Sequence, residues 1–215
     1  MISDVVVVGG GIVGTATAAY LAQAGLRVTL CELNEIAAGA SGRNSGIVQH
    51  PFDAALVGLY RRSLELYRDL AGVMPDAFRI DDEPGGLLLI GPESASDEAA
   101  RLVAAWTDAY PETEPELVAD PALRDLEPEL ADGLVACRLR IGYPVTPASA
   151  TRAYAALAER LGARVLHGDA SLAVERDRAV GVVVDGRPLP ADGVVVAAGP
   201  WTPSVVGRLG SRPGP

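Results

Sequence analysis

Apolar residues near the start of the chain change their period twice within thirty residues. Val5-Val6-Val7-Val8 is an unbroken β-branched run, the pattern of a strand buried on both faces of a parallel sheet. A glycine cluster follows, then Ile12 to Ala24 in small, helix-tolerant residues, closed by Gly25 at a C′ position. Leu26 to Glu32 returns to a strand pattern, which completes a βαβ unit. Ala37 to Gly46 is small, polar and glycine-rich, so it is predicted to be a loop. Asp53 is placed to cap a helix whose apolar positions Leu56, Tyr60, Leu64, Tyr67 and Leu70 recur at helical spacing. Gly86 to Ile90 is predicted to be a strand and Glu98 to Tyr110 a helix. The acidic, proline-punctuated stretch from Pro111 to Glu129 is predicted to be surface structure with one or two short helical turns.

Farther along, the pattern predicts a helix opening at Thr146-Pro147, with the threonine as cap and the proline in the first turn. It would carry Ala150, Ala153, Tyr154, Leu157 and Leu161 inward and stop at Gly162. Short strands are predicted at Val165-Leu166, Leu172 to Val174 and Val180 to Val184, joined by turns at Asp177-Arg178 and Asp185-Gly186. A last strand, Val194 to Ala198, leads into Gly199-Pro200-Trp201, and the tail from Gly207 to Pro215 shows no periodicity.

Composition narrows the class. Over 215 residues, 49% are hydrophobic and 21% charged, an ordinary globular balance with enough chain for a sizeable core. The net charge of −10 argues against nucleic-acid phosphate or anionic lipid as a partner. No apolar run reaches the ~18 residues of a transmembrane helix. Met1 to Asp4 leads straight into a strand with no basic leader, so no signal peptide is expected. The two cysteines, Cys31 and Cys137, each lie in an apolar stretch and are expected to be free buried thiols, which suits a cytoplasmic protein. With only His50 and His167, a metal site is not expected.

Candidate chemistry concentrates at Gly9-Gly10-Gly11-Ile12-Val13-Gly14, a G-x-G-x-x-G directly after a strand and at the head of a helix. Gly9 permits the tight turn, Gly11 lets a pyrophosphate approach the backbone, and Gly14 lets helix and strand pack. The helix N-terminus offers free N–H groups and a partial positive charge. Glu32, followed by Leu33, closes the second strand where a carboxylate can accept hydrogen bonds from an adenosine ribose and repel a 2′-phosphate. FAD or NAD is thereby favoured over NADP. The chain then leaves the sheet through a long loop and returns with a β-meander, unlike the regular βαβ alternation of nicotinamide domains.

That organisation resembles the glutathione-reductase-like flavoproteins, and within them the D-amino-acid oxidase, glycine oxidase and sarcosine oxidase family. The likeness rests on Asp4 to Glu32, Ala40-Ser41-Gly42-Arg43-Asn44-Ser45-Gly46, Gly142 to Pro147, and Val194 to Trp201. It implies an α/β fold: a Rossmann-like FAD-binding domain from residues 1–50 and 142–215, with an inserted, incomplete α+β substrate domain at 51–141. It also implies that Ser41 to Gly46 runs past the pyrophosphate toward the flavin ring, with Asn44 and Ser45 binding polar cofactor atoms and Arg43 facing phosphate or substrate. Val174 would present its backbone to the adenine, and Ala198 and Gly199 would pass close to FAD beside Trp201. His50 lies outside the matched loop and receives no role.

The activity implied is oxidation of the carbon–nitrogen bond of a small amine or amino acid, by hydride transfer to flavin N5; no catalytic side chain is assigned. A 2-hydroxy-acid dehydrogenase, a NAD-binding module and a non-catalytic split or truncated fragment stay open as alternatives. The family's substrate-binding strands normally follow the point where this chain ends, so a C-terminal half or a second subunit is an expected partner.

Overall fold

The computed structural model describes residues 3–206, which divide into two compact units. The first comprises 3–46, 66–79 and 146–206; the second comprises 47–65 and 80–145.

The first unit is built on β1 (Ser3–Val8), α1 (Ile12–Gln23) and β2 (Val28–Glu32), the βαβ unit that the pattern predicts. Val6, Val7, Leu30 and Cys31 are fully buried, as strands covered on both faces require. Helix α1 ends in a Schellman motif: the Gly25 N–H donates to the Ala22 carbonyl and the Leu26 N–H to Leu21. Leu26 therefore belongs to the helix stop, and the strand begins two residues later than the apolar run suggests.

The second unit opens with β3 (Ile47–Val48). Asp53 accepts from the Ala55 N–H and caps a 3₁₀ turn that runs into α2 (Val57–Val73). The later part of α2 clusters with the first unit, where Leu70 is buried and the Tyr67 and Phe78 rings lie 5.7 Å apart. The residue pattern grouped this segment with the intervening stretch. In the second unit follow β4 (Leu87–Pro92), α3 (Ser96–Ala109), β5 (Glu116–Ala119), α4 (Ala122–Leu126), β6 (Leu134–Leu139) and β7 (Tyr143–Pro144). Strands order β4-β6-β5 in an antiparallel sheet, and β3 pairs with β7. Strands β5 and β6 escape the sequence pattern. Arg138 interrupts the apolar run of β6, yet Val135, Ala136, Cys137 and Leu139 are all buried.

Back in the first unit come α5 (Ser149–Arg160), β8 (Arg164–His167), β9 (Ala170–Glu175), β10 (Arg178–Val184), β11 (Arg187–Val196) and α6 (Thr202–Val206). The six-stranded sheet has order β8-β2-β1-β11-β10-β9. Strand β11 is one ten-residue strand with two partners: Arg187 to Pro190 run antiparallel to β10, and Ala191 to Val196 run parallel to β1. The predicted Val194 to Ala198 segment is its end, and Ala197 and Ala198 lie beyond it. The β9–β10 turn centres on Arg176 and Asp177, both at positive φ, one residue earlier than expected.

Helix α5 departs most from expectation. Thr146 is not its cap. The Ala148 N–H donates to the Ser41 carbonyl, Ala148 takes a φ of 68°, and the helix starts at Ser149. Its buried face is Thr151, Ala153, Tyr154, Ala155 and Ala158, whereas Leu161 is 41% exposed. Small residues win the interface because α5 packs closely on the alanine-rich α1. The predicted lack of periodicity from Gly207 to Pro215 concerns residues outside those described.

Candidate functional site

At the end of β1 the chain turns sharply through Gly9, whose φ is 113° and whose N–H donates to the Cys31 carbonyl. A side chain here would start 2.4 Å from the Ala197 carbonyl oxygen, so the close passage of β11's end requires glycine. At Gly14 a Cβ would lie 1.9 Å from the Gly9 carbonyl oxygen. Gly11 is different: it caps α1 in extended backbone, and a Cβ there would meet only the Ser41 hydroxyl, at 3.2 Å. Gly11 is thus constrained by one hydroxyl, Gly9 and Gly14 by backbone. The first-turn N–H groups of Val13 and Gly14 have no carbonyl one turn behind them inside the helix, and Val13 is 66% exposed. The remaining first-turn donor, Ile12, gives its N–H to Ser41 Oγ at 2.9 Å, a cap supplied from a distant loop.

Glu32 stands at the end of β2 beside this turn. Its Oε2 accepts from the Gly10 N–H at 2.6 Å and its Oε1 from the Asn34 N–H at 2.9 Å. Leu33 turns outward, 61% exposed. The loop from Ala40 to Gly46 contains a 3₁₀ turn, Ala40–Gly42, braced by Asn44, whose amide donates to the Ala40 and Ser41 carbonyls and accepts from the Gly46 N–H. Asn44 therefore shapes the loop, while Arg43 and Ser45 are exposed. Among the described residues Arg43 takes part in no ion pair, which leaves its guanidinium available to an anion.

Beyond β11, Ala198 precedes a 3₁₀ turn, Gly199–Trp201, and Gly199 sits at φ 55°. The exposed Trp201 ring lies against Gly39, where a Cβ would be 3.4 Å from it. Val174 lies on the outer strand β9, partly buried against the cluster containing Val6, Val8, Leu172 and Val182. It also lines an open recess of about 540 Å³ with Glu175, Asp177 and Val180. The structure thus brings Gly9 to Gly14, Glu32, Ser41 to Gly46 and the start of the Ala198 to Trp201 segment to one end of the sheet, with Val174 on a separate strand. The pattern missed Gly10, Gly39 and Ala148, each of which matters only through a partner distant in sequence.

In the second unit His50 is buried among the rings of Tyr60, Trp106 and Tyr110, at centroid distances of 5.0, 5.4 and 5.0 Å. Its Nδ1 lies 2.8 Å from the Pro51 carbonyl oxygen, and its Nε2 has no partner among the described residues. His167 is exposed, with Nδ1 2.6 Å from the Asn34 carbonyl oxygen. Cys31 and Cys137 are both free and buried. Among the described residues no cluster of histidine, cysteine and carboxylate could hold a metal ion, and no helix is long and apolar enough to cross a membrane.

Comparison with known proteins agrees with this geometry. The chain is 29% identical over 216 residues to the uncharacterized oxidoreductase YurR of Bacillus subtilis, covering 95% of this chain and 57% of that one. It is 29% identical over 215 residues to glycine oxidase of Bacillus licheniformis, covering 96% and 57%. Among solved structures, iminodiacetate oxidase from Chelativorans sp. BNC1 superposes with a TM-score of 0.81 at 25% identity, over 97% of this chain and 58% of that one. Glycine oxidase from Geobacillus kaustophilus gives 0.76 at 26%, over 98% and 59%. The chain thus spans a little over half the length of these relatives. The family model for FAD dependent oxidoreductases (DAO) matches residues 4–215, and the chain belongs to that family.

Proposed function

We propose that this chain supplies the FAD-binding part of an enzyme that oxidises the carbon–nitrogen bond of a small amine or amino acid. One observation carries the cofactor assignment: a side chain at Gly11 would meet only the Ser41 hydroxyl, while Gly9 and Gly14 are fixed by backbone contacts. The Val13 and Gly14 N–H groups and the α1 dipole would receive the pyrophosphate, with the Ser41 hydroxyl beside them. Glu32 would accept from the adenosine ribose through lone pairs left over from its two backbone bonds. Val174, on the outer strand, is assigned to the adenine, and Ala198, Gly199 and Trp201 to the flavin side. Arg43 is the exposed cation on the cofactor loop, suited to a phosphate or a substrate carboxylate.

Bound FAD would accept a hydride from the substrate α-carbon at flavin N5. The substrate class follows the relatives named glycine oxidase and iminodiacetate oxidase; glycine and iminodiacetate each carry an amine one carbon from a carboxylate. The test is the absorbance spectrum of the purified chain in the flavin region, followed by anaerobic bleaching with glycine, sarcosine, iminodiacetate, D-amino acids and 2-hydroxy acids. A colourless protein that takes up no FAD would sink the cofactor assignment. Bleaching by 2-hydroxy acids alone would replace the amine assignment.

A further inference from the structure

We propose that Glu32 is a positioning residue whose carboxylate holds the glycine turn in its phosphate-accepting shape before any nucleotide arrives. This rests on the FAD-binding proposal but assigns Glu32 a task besides contact with ribose. The Gly10 peptide is gripped from both sides by the segment that follows β2. Its N–H donates to Glu32 Oε2 at 2.6 Å, and its carbonyl accepts from the Ala37 N–H at 3.0 Å. The other carboxylate oxygen takes the Asn34 N–H at 2.9 Å, which fixes the carboxylate in turn. A side chain at Gly10 would press on this carboxylate: a Cβ would fall 2.8 Å from Ile36 Cδ1, 2.9 Å from Glu32 Cγ and 3.0 Å from Glu32 Oε2. Nothing in a G-x-G-x-x-G pattern asks for glycine at this middle position. A charged acceptor suits the task because its hydrogen bonds are about twice as strong as neutral ones. Two of its roughly four acceptor sites remain free, so bracing and ribose binding are compatible.

Two measurements test the proposal, both on the 215-residue chain. Glu32→Gln keeps the side-chain shape but offers an amide N–H to one of the two backbone donors. Hydrogen exchange of the Gly10 amide in nucleotide-free protein should speed up at least tenfold in this variant. The Leu172 and Val182 amides, far along the sheet, should keep their protection and so report that the fold is intact. If Glu32→Gln does not fold, Glu32→Asp, with the charge on a stem one methylene shorter, is measured in the same way. The second measurement is the affinity for FAD and for a FAD analogue lacking the 2′- and 3′-hydroxyls of the adenosine ribose. Glu32→Gln should weaken the deoxy analogue about tenfold or more, and FAD by at least as much. An unchanged Gly10 exchange rate, or a penalty on FAD that vanishes with the deoxy analogue, would overturn the bracing role. If the unsubstituted chain binds neither ligand, the FAD proposal fails, and amide exchange alone decides whether Glu32 braces the turn.

Discussion

Three glycines in the turn look alike in sequence, yet their surroundings separate them. A Cβ at Gly14 would sit 1.9 Å from a backbone oxygen, with no flexible side chain to yield. Gly14→Ala is therefore expected to cost about 3 kcal/mol of stability. At Gly11 the backbone is extended and a side chain would press only on the Ser41 hydroxyl, so Gly11→Val should cost less than Gly14→Ala, about 1–2 kcal/mol. The same substitution fills the phosphate's path and should abolish flavin retention. Thermal melts and flavin absorbance on the two variants check this dissociation, and a Gly11→Val protein with its full flavin would disprove the phosphate assignment. Cys31 gives a pH prediction at the same scale. Burial pushes its thiol from 9.0 up to about 11, because the thiolate cannot be solvated inside the sheet. The unfolded chain ionises first, so this contribution is intact below pH 9 and is lost as pH rises toward 11. The loss should be on the order of 2 kcal/mol, absent in Cys31→Ala, and visible as a steeper alkaline decline in denaturant melts of the parent.

At the scale of elements, the contact between α1 and α5 is set by side-chain size. Ala18 and Ala19 on one helix and Ala158 on the other are essentially fully buried, and Tyr20 and Tyr154 meet through their hydroxyls at 3.1 Å. Ala158 is fully buried, so a larger side chain must displace its neighbours, and Ala158→Leu should destabilise by about 1–3 kcal/mol despite its better hydrophobicity. Leu161→Ala, on an exposed position of the same helix end, should change stability by less than about 0.5 kcal/mol. Chemical denaturation of both variants tests the pair, and equal losses would contradict the observed face. The start of α5 shows why the helix cap was misplaced from sequence. Thr146-Pro147 is a sound local cap signal, but the Ala148 N–H is taken by Ser41, so the Ala40 to Gly46 loop sets the helix start.

For the whole molecule, the FAD dependent oxidoreductase family match predicts linkage between cofactor and stability. At about a hundredfold excess over Kd, FAD should stabilise the folded chain by about 2.7 kcal/mol. For a protein of this length that is a rise of roughly 5–10 °C in Tm. NADP should give no shift, because its 2′-phosphate would approach the Glu32 carboxylate. A thermal-shift series with FAD, NAD and NADP makes the comparison, and an NADP shift equal to that of FAD would remove Glu32 from the ribose site. The chain spans 57% of the glycine oxidase relative, so turnover is best measured alongside a version extended to that relative's full length.

The βαβ unit, the glycine turn, Glu32 and the meander were legible in the sequence because each rests on short-range rules: a period, a turn residue or a helix stop. Those signals narrowed the cofactor to FAD or NAD, and the long loop, the meander and the resemblance to the D-amino-acid oxidase family pointed to FAD. Only the tertiary structure decided the rest, since those features depend on partners far apart in sequence. Gly9 is glycine because of Ala197, Gly10 is held by Glu32 and Ala37, and Ser41 caps a helix 29 residues before it. Strands β5 and β6 were missed because burial in a small sheet can override an alternation broken by Arg138. Residue type and spacing determine which local shapes are available, and the close approach of distant backbone decides which of them persist.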